Sequence, residues 1–107
     1  MIWPLGRKRH PFAVVEEGDG ESLVFPTLKF GAFETLQREL SKSGVVRRKT
    51  VQRDFGRAEL IFTYDGDEFS FYWDDWGGTV LTPLSGNHVA KVSQRLAQSR
   101  RFVLKSV

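Results

Sequence analysis

Residues 57–74 read RAELIFTYDGDEFSFYWD, and their pairing decides the fold. Asp65-Gly66 is the dipeptide favoured in a two-residue type I′ loop, where both central residues need positive φ and Gly supplies it without steric cost. With that turn, Tyr64 lies opposite Asp67, Phe62 opposite Phe69, Leu60 opposite Phe71 and Ala58 opposite Trp73. The other face then carries Thr63/Glu68, Ile61/Ser70, Glu59/Tyr72 and Arg57/Asp74. One turn assignment thus sorts apolar from polar on both strands, and a slip of one residue would destroy the match. The segment is predicted to be a hairpin with its apolar face in the core.

Working outward, the chain falls into segments of changing period. Residues 1–11 carry Pro4 and Pro11 and no periodicity, which predicts a flexible basic arm ahead of one α+β domain over residues 12–107. Phe12 to Glu17 and Glu21 to Phe25 are β-like runs around Gly18-Asp19-Gly20, a first hairpin that Pro26 ends. Phe30, Phe33, Leu36 and Leu40 then form a stripe roughly 120° wide on a helix, with Gly44 as its C′ residue. Val45 to Asp54 is strand-like without clean alternation, its basic side chains pointing to both faces, as in a protected edge strand. Beyond the central hairpin, Thr79 to Thr82 is a short strand that Pro83 ends. Ser85 or Asn87 caps a second helix with Val89, Val92, Ser93 and Leu96 inward and Lys91, Gln94, Arg95 and Gln98 outward. Phe102 to Leu104 fits either a final strand or an ordered extension.

This order predicts an α+β two-layer sandwich: an antiparallel, largely meandering sheet of five or six strands with both helices on one face. The covered face is expected to hold Leu60, Phe62, Phe69, Phe71 and Trp73, against Phe33, Leu36, Leu40, Val92 and Leu96.

Composition limits the function. The 107 residues suffice for one domain that buries roughly 65% of its unfolded surface, and nine Phe, three Trp and two Tyr make the core aromatic. No Cys means no disulfide framework, thiolate zinc site or cysteine nucleophile, and permits the cytoplasmic location we expect. The first residues, MIWPLGRKRHPF, lack the apolar run of a signal peptide, and no segment approaches the roughly eighteen apolar residues of a membrane span. The net charge of +3 hides an uneven distribution: Ala58 to Ala90 holds no Lys or Arg but includes Glu59, Asp65, Asp67, Glu68, Asp74 and Asp75. Such a bipolar chain presents opposite potentials on different surfaces.

Few residues suggest chemistry. Asp65-Gly66-Asp67-Glu68 has the start of a calcium loop but lacks its later ligands, so a turn with charged flanks accounts for it. Adjacent Asp74 and Asp75 diverge in a turn and have no basic neighbour in sequence to tune them. His10 and His88 are far apart without acidic residues at metal-ligand spacing, so neither metal nor cofactor is expected. No phosphate loop, nucleophile elbow or zinc-protease signature is present, and an enzyme is not the expectation. Trp76, beside Gly77-Gly78, either folds back to close the end of the sheet, as buried aromatics commonly do, or stands exposed with the large area and low entropy cost of a binding hot spot.

Two function classes remain. The first is a non-catalytic protein-binding module of adaptor, inhibitor or immunity type, which binds another protein through Glu59, Tyr72, Asp74, Asp75 and Trp76. The second is a nucleic-acid binder using Arg7, Lys8 and Arg9 with Arg47, Arg48, Lys49 and Arg53.

Overall fold

The computed structural model describes residues 9–17, 20–84 and 88–105. Its elements are β1 (His10–Glu17), β2 (Gly20–Phe25), α1 (Phe33–Leu40), β3 (Val46–Asp54), β4 (Arg57–Tyr64), β5 (Asp67–Asp74), β6 (Gly78–Pro83), α2 (Ala90–Ala97) and β7 (Phe102–Leu104). A single 3₁₀ turn, Phe30–Ala32, leads into α1.

The β4–β5 register agrees at every pair with the one derived from the turn, from Tyr64↔Asp67 to Arg57↔Asp74. Asp65 (φ 52°) and Gly66 (φ 90°) both adopt the positive φ that this loop demands. Around the hairpin runs a sheet of order β3-β4-β5-β6-β2-β1-β7. The fold is α+β, mostly sheet with two helices, but the expectation of an antiparallel sheet of five or six strands is corrected: the described residues form seven, and β7 pairs with β1 in parallel through His10↔Phe102, Pro11↔Val103 and Phe12↔Leu104. Three residues of β7 carry no readable period, and their direction is set by α2, which returns the chain to the sheet's far edge. The start of β1 at His10 also places His10 and Pro11 in the sheet rather than in the arm, while residues 1–8 lie outside the described residues.

One face of the sheet and both helices share a single core. Phe12, Leu23, Phe25, Leu60, Phe62, Tyr64, Phe69, Phe71, Leu81 and Phe102 pack with Phe33, Leu36 and Leu40 of α1 and Val92 and Leu96 of α2. Phe33 sits edge-on to Phe62 and Phe71, with ring centroids 5.1 and 5.0 Å away. Two residues depart from the expected core. Trp73 is only half-buried, one step nearer the end of the sheet than Phe71. Tyr64 is buried instead, its hydroxyl 2.6 Å from that of Ser43.

Two local expectations are revised by packing, and a third falls on residues not described. Gly44 has no positive φ; an added Cβ would lie 2.5 Å from Tyr64 Cε1 and 2.7 Å from the Asp65 carboxylate oxygens, so close approach explains this glycine. Arg95, placed outward by the helical stripe, is half-buried, and its Nε is enclosed. Ser85 and Asn87, the expected caps, lie outside the described residues, and Val89 occupies the N-cap position of α2.

Candidate functional site

The sheet face away from the helices holds Glu59, Ile61, Thr63, Glu68, Ser70 and Tyr72 on the central hairpin. Val80 and Val24 continue the row that starts at Glu59 and Tyr72. Two hydroxyl contacts tie this face together: Ser70 Oγ donates to Glu59 Oε2 at 2.6 Å, and Ser22 and Thr82 hydroxyls meet at 3.2 Å.

At one end of that face two turns lie side by side. Phe55-Gly56 joins β3 to β4, and Asp75-Trp76-Gly77 joins β5 to β6. The Asp75 N–H donates to the Gly56 carbonyl at 3.1 Å, which fixes one turn against the other. Gly56 has φ 76°, and a Cβ there would meet Asp75 Oδ2 at 2.8 Å, so both conformation and space require glycine. Each turn is also braced from within. Asp54 Oδ1 accepts the Phe55 N–H at 2.7 Å, and Asp74 Oδ1 accepts the N–H groups of Trp76, at 2.9 Å, and of Gly77. The tips project a bare aromatic pair: Trp76 is 98% exposed and Phe55 fully so.

Between these turns and the open face lies a shallow recess of about 210 Å³, lined by Gln52, Asp54, Arg57, Ala58, Glu59 and Tyr72. Its electrostatics follow from hydrogen bonding. The Phe55 N–H, then the Arg57 guanidinium, hold the Asp54 carboxyl below its ordinary pKa. The Gly77 N–H does the same for Asp74 against a smaller opposing effect of desolvation, helped by the Trp76 N–H and the Tyr72 hydroxyl. Arg57 is raised by its hydrogen bond and charge contact with Asp54 and by Tyr72. The recess is therefore a fixed array of charges around a tyrosine edge. Of its two carboxylates, Asp54 braces the turn and Glu59 accepts the Ser70 hydroxyl, and the only described histidines, His10 and His88, lie outside it. Among the described residues no group of three His, Cys, Asp or Glu side chains could hold a metal ion.

The five residues singled out for protein contact come together here. Glu59 is directly opposite Tyr72, Asp74 closes the same strand opposite Arg57, and Asp75 and Trp76 form the adjoining turn. Phe55 escaped the sequence reading, although an aromatic residue inside a two-residue connection between paired strands has no route to the core. Of the basic candidates, four share one strand. Arg47, Arg48, Lys49 and Arg53 lie on β3 at one edge of the sheet, whereas Arg9 precedes β1, five strand spacings or roughly 24 Å away. Arg7 and Lys8 lie outside the described residues.

Asp65, at the opposite end of the hairpin, has a structural task. It exchanges main-chain and side-chain hydrogen bonds with Val45 and pairs with Lys91 Nζ at 2.6 Å. No described helix is long and apolar enough to cross a membrane. No protein-family model, curated protein or solved structure matches the chain.

Proposed function

We infer that this chain is a non-catalytic protein-binding module, an adaptor, inhibitor or immunity-type protein, whose contact surface is the turn end of the sheet: Trp76 and Phe55 at the tips, with Asp75, Asp74, Glu59 and Tyr72 behind them. The observation that carries the reading is Trp76, a side chain of large area left 98% exposed on a turn that Asp74 and Gly56 hold in place. A fixed turn loses little entropy on binding, and a Trp surrounded by polar groups is the composition of a hot spot. Nucleic-acid binding has weaker support: among the described residues its cations reduce to Arg47, Arg48, Lys49 and Arg53 on β3 with Arg9 before β1, and Lys49 is already paired with Glu68.

The test is affinity capture from nuclease-treated extract of the native host, with the wild-type chain and the variants Trp76→Ala and Asp75→Lys side by side. Asp75 is the carboxylate to reverse, since Asp74 supports the turn itself. A protein retained by the wild type should be depleted about tenfold or more by Trp76→Ala. Equal retention by both variants, or bound material that nuclease removes, would reject the reading.

A further inference from the structure

β3 is the terminal strand of the sheet: β4 pairs with one of its edges, and no described strand pairs with the other. A nine-residue strand so placed leaves a row of main-chain N–H and C=O groups open. A strand whose only role is to repel neighbours would carry charge alone, but this one does not. Val45, Val51 and Phe55, three of the exposed large apolar residues, lie on β3 or just beyond its ends, with Val51 at 48% exposure in its middle.

Its cations are also held in place. The Arg48 guanidinium lies 5.1 Å from the Phe33 ring centroid, and its Nε donates to Gln37 Oε1 at 2.9 Å; Arg53 lies 5.4 Å from the centroid of Phe30. Neither forms an ion pair with a described carboxylate, whereas Lys49 pairs with Glu68. Stacking on a ring orients a guanidinium and leaves its charge uncompensated. The bulge between Arg48 and Thr50 gives these residues a common face. Arg48, Val51 and Arg53 stand opposite Phe62, Leu60 and Ala58 of β4, so cation, apolar group and cation follow one another on the side that faces the helices.

We propose that β3 is a strand-docking site that takes an extended acidic segment of a partner protein as an eighth strand. Main-chain pairing with the open edge supplies affinity, and alternate side chains supply specificity. The segment carries an acidic, an apolar and an acidic side chain at every second residue, which meet Arg48, Val51 and Arg53. A second copy of β3 is the wrong occupant, because pairing two such strands sets like charges against each other. This surface does not depend on the reading of Trp76.

The probe is the nine-residue synthetic peptide Ser-Thr-Glu-Thr-Val-Thr-Glu-Thr-Ser, whose Glu, Val and Glu fall at every second residue and so share one face of a strand, used with the full chain. Two further peptides carry N-methyl groups on one or the other alternate set of residues, and a fourth has Lys in place of Glu. The parent peptide should shift the amide resonances of residues 47–54. One N-methylated peptide, the one that blocks the bonding edge, should bind about tenfold or more weakly, and the other should bind like the parent. Arg53→Gln should weaken the parent about two- to fivefold, and the Lys peptide should not bind. If both N-methylated peptides bind as well as the parent, the attraction is charge alone and the proposal fails. It fails equally if the shifts fall on β7, or if mixed-sequence RNA shifts residues 47–54 while the acidic peptide does not.

Discussion

Single residues divide sharply into those that hold the fold and those it displays. Phe71 is fully buried between Phe25, Phe30 and Phe33, so Phe71→Ala is expected to cost about 3–5 kcal/mol in chemical denaturation. Trp76→Ala should stay within about 0.5 kcal/mol of wild type, since Trp76 packs on almost nothing. That contrast makes Trp76 a clean probe of binding: a loss of stability above 1 kcal/mol would mean that the side chain folds back on the sheet. Gly44→Ala gives a third measurement. The new methyl group would press on Tyr64 and the Asp65 carboxylate where α1 meets the hairpin, and a destabilisation of about 1–3 kcal/mol is expected. A neutral result would show that Tyr64 and Asp65 move aside freely.

Among the elements, those with a clear period were legible and those whose pattern is broken were not. The β4–β5 hairpin could be registered from its turn because both strands alternate without interruption. β3 could be placed at an edge by its charge, and its basic side chains do point to both faces, Arg47 opposite Thr63 and Arg48 and Arg53 opposite Phe62 and Ala58; the bulge between Arg48 and Thr50, which breaks the alternation, was not readable. α1 was readable from its Phe and Leu stripe, yet Glu39, at the margin of that stripe, is buried at 2% exposure and was missed. It joins α1 to the end of α2: Lys42 Nζ lies 2.8 Å from Glu39 Oε2, and Arg95 and Ser99 act from the other helix and the residues after it. Burial pushes the Glu39 carboxyl upward, but the hydrogen bonds from Lys42 and Ser99 and the charges of Lys42 and Arg95 outweigh it, leaving the pKa lowered.

The sign of the pH effect follows. A carboxyl with a depressed folded pKa binds fewer protons in the folded than in the unfolded state, so its contribution is present above the unfolded pKa and is lost as pH falls through the folded one. Asp65, lowered by Lys91 and the Val45 N–H, acts in the same direction. Stability should therefore decline through roughly pH 5 to 3. Glu39→Gln should show a shallower decline over that range, read from denaturation midpoints. A slope equal to that of wild type would remove Glu39 from the linkage.

On the scale of the whole molecule, sequence reasoning found the class of fold and one face of its core but not the sheet's full width or its one parallel pair. Hairpins are local and announce themselves through turn residues, whereas β7 reaches β1 across the length of the chain and is fixed by Phe102 entering the core beside Phe12 and Phe25. The same limit applied to the site. The acidic and aromatic residues were visible, but only the sheet order shows that the β3–β4 and β5–β6 turns meet, with Phe55 and Trp76 exposed at one end and Arg47, Arg48, Lys49 and Arg53 along one edge.

The central claim, that the turn end is where a partner protein binds, is tested most directly by the affinity of a captured partner for Trp76→Ala relative to wild type. The thermal midpoint of the variant, measured alongside, checks that its fold is intact. The expected result is an unchanged midpoint with a dissociation constant raised about thirtyfold, the scale of a hot-spot truncation. An unchanged dissociation constant on an intact fold would contradict the claim and move the contact surface away from these turns.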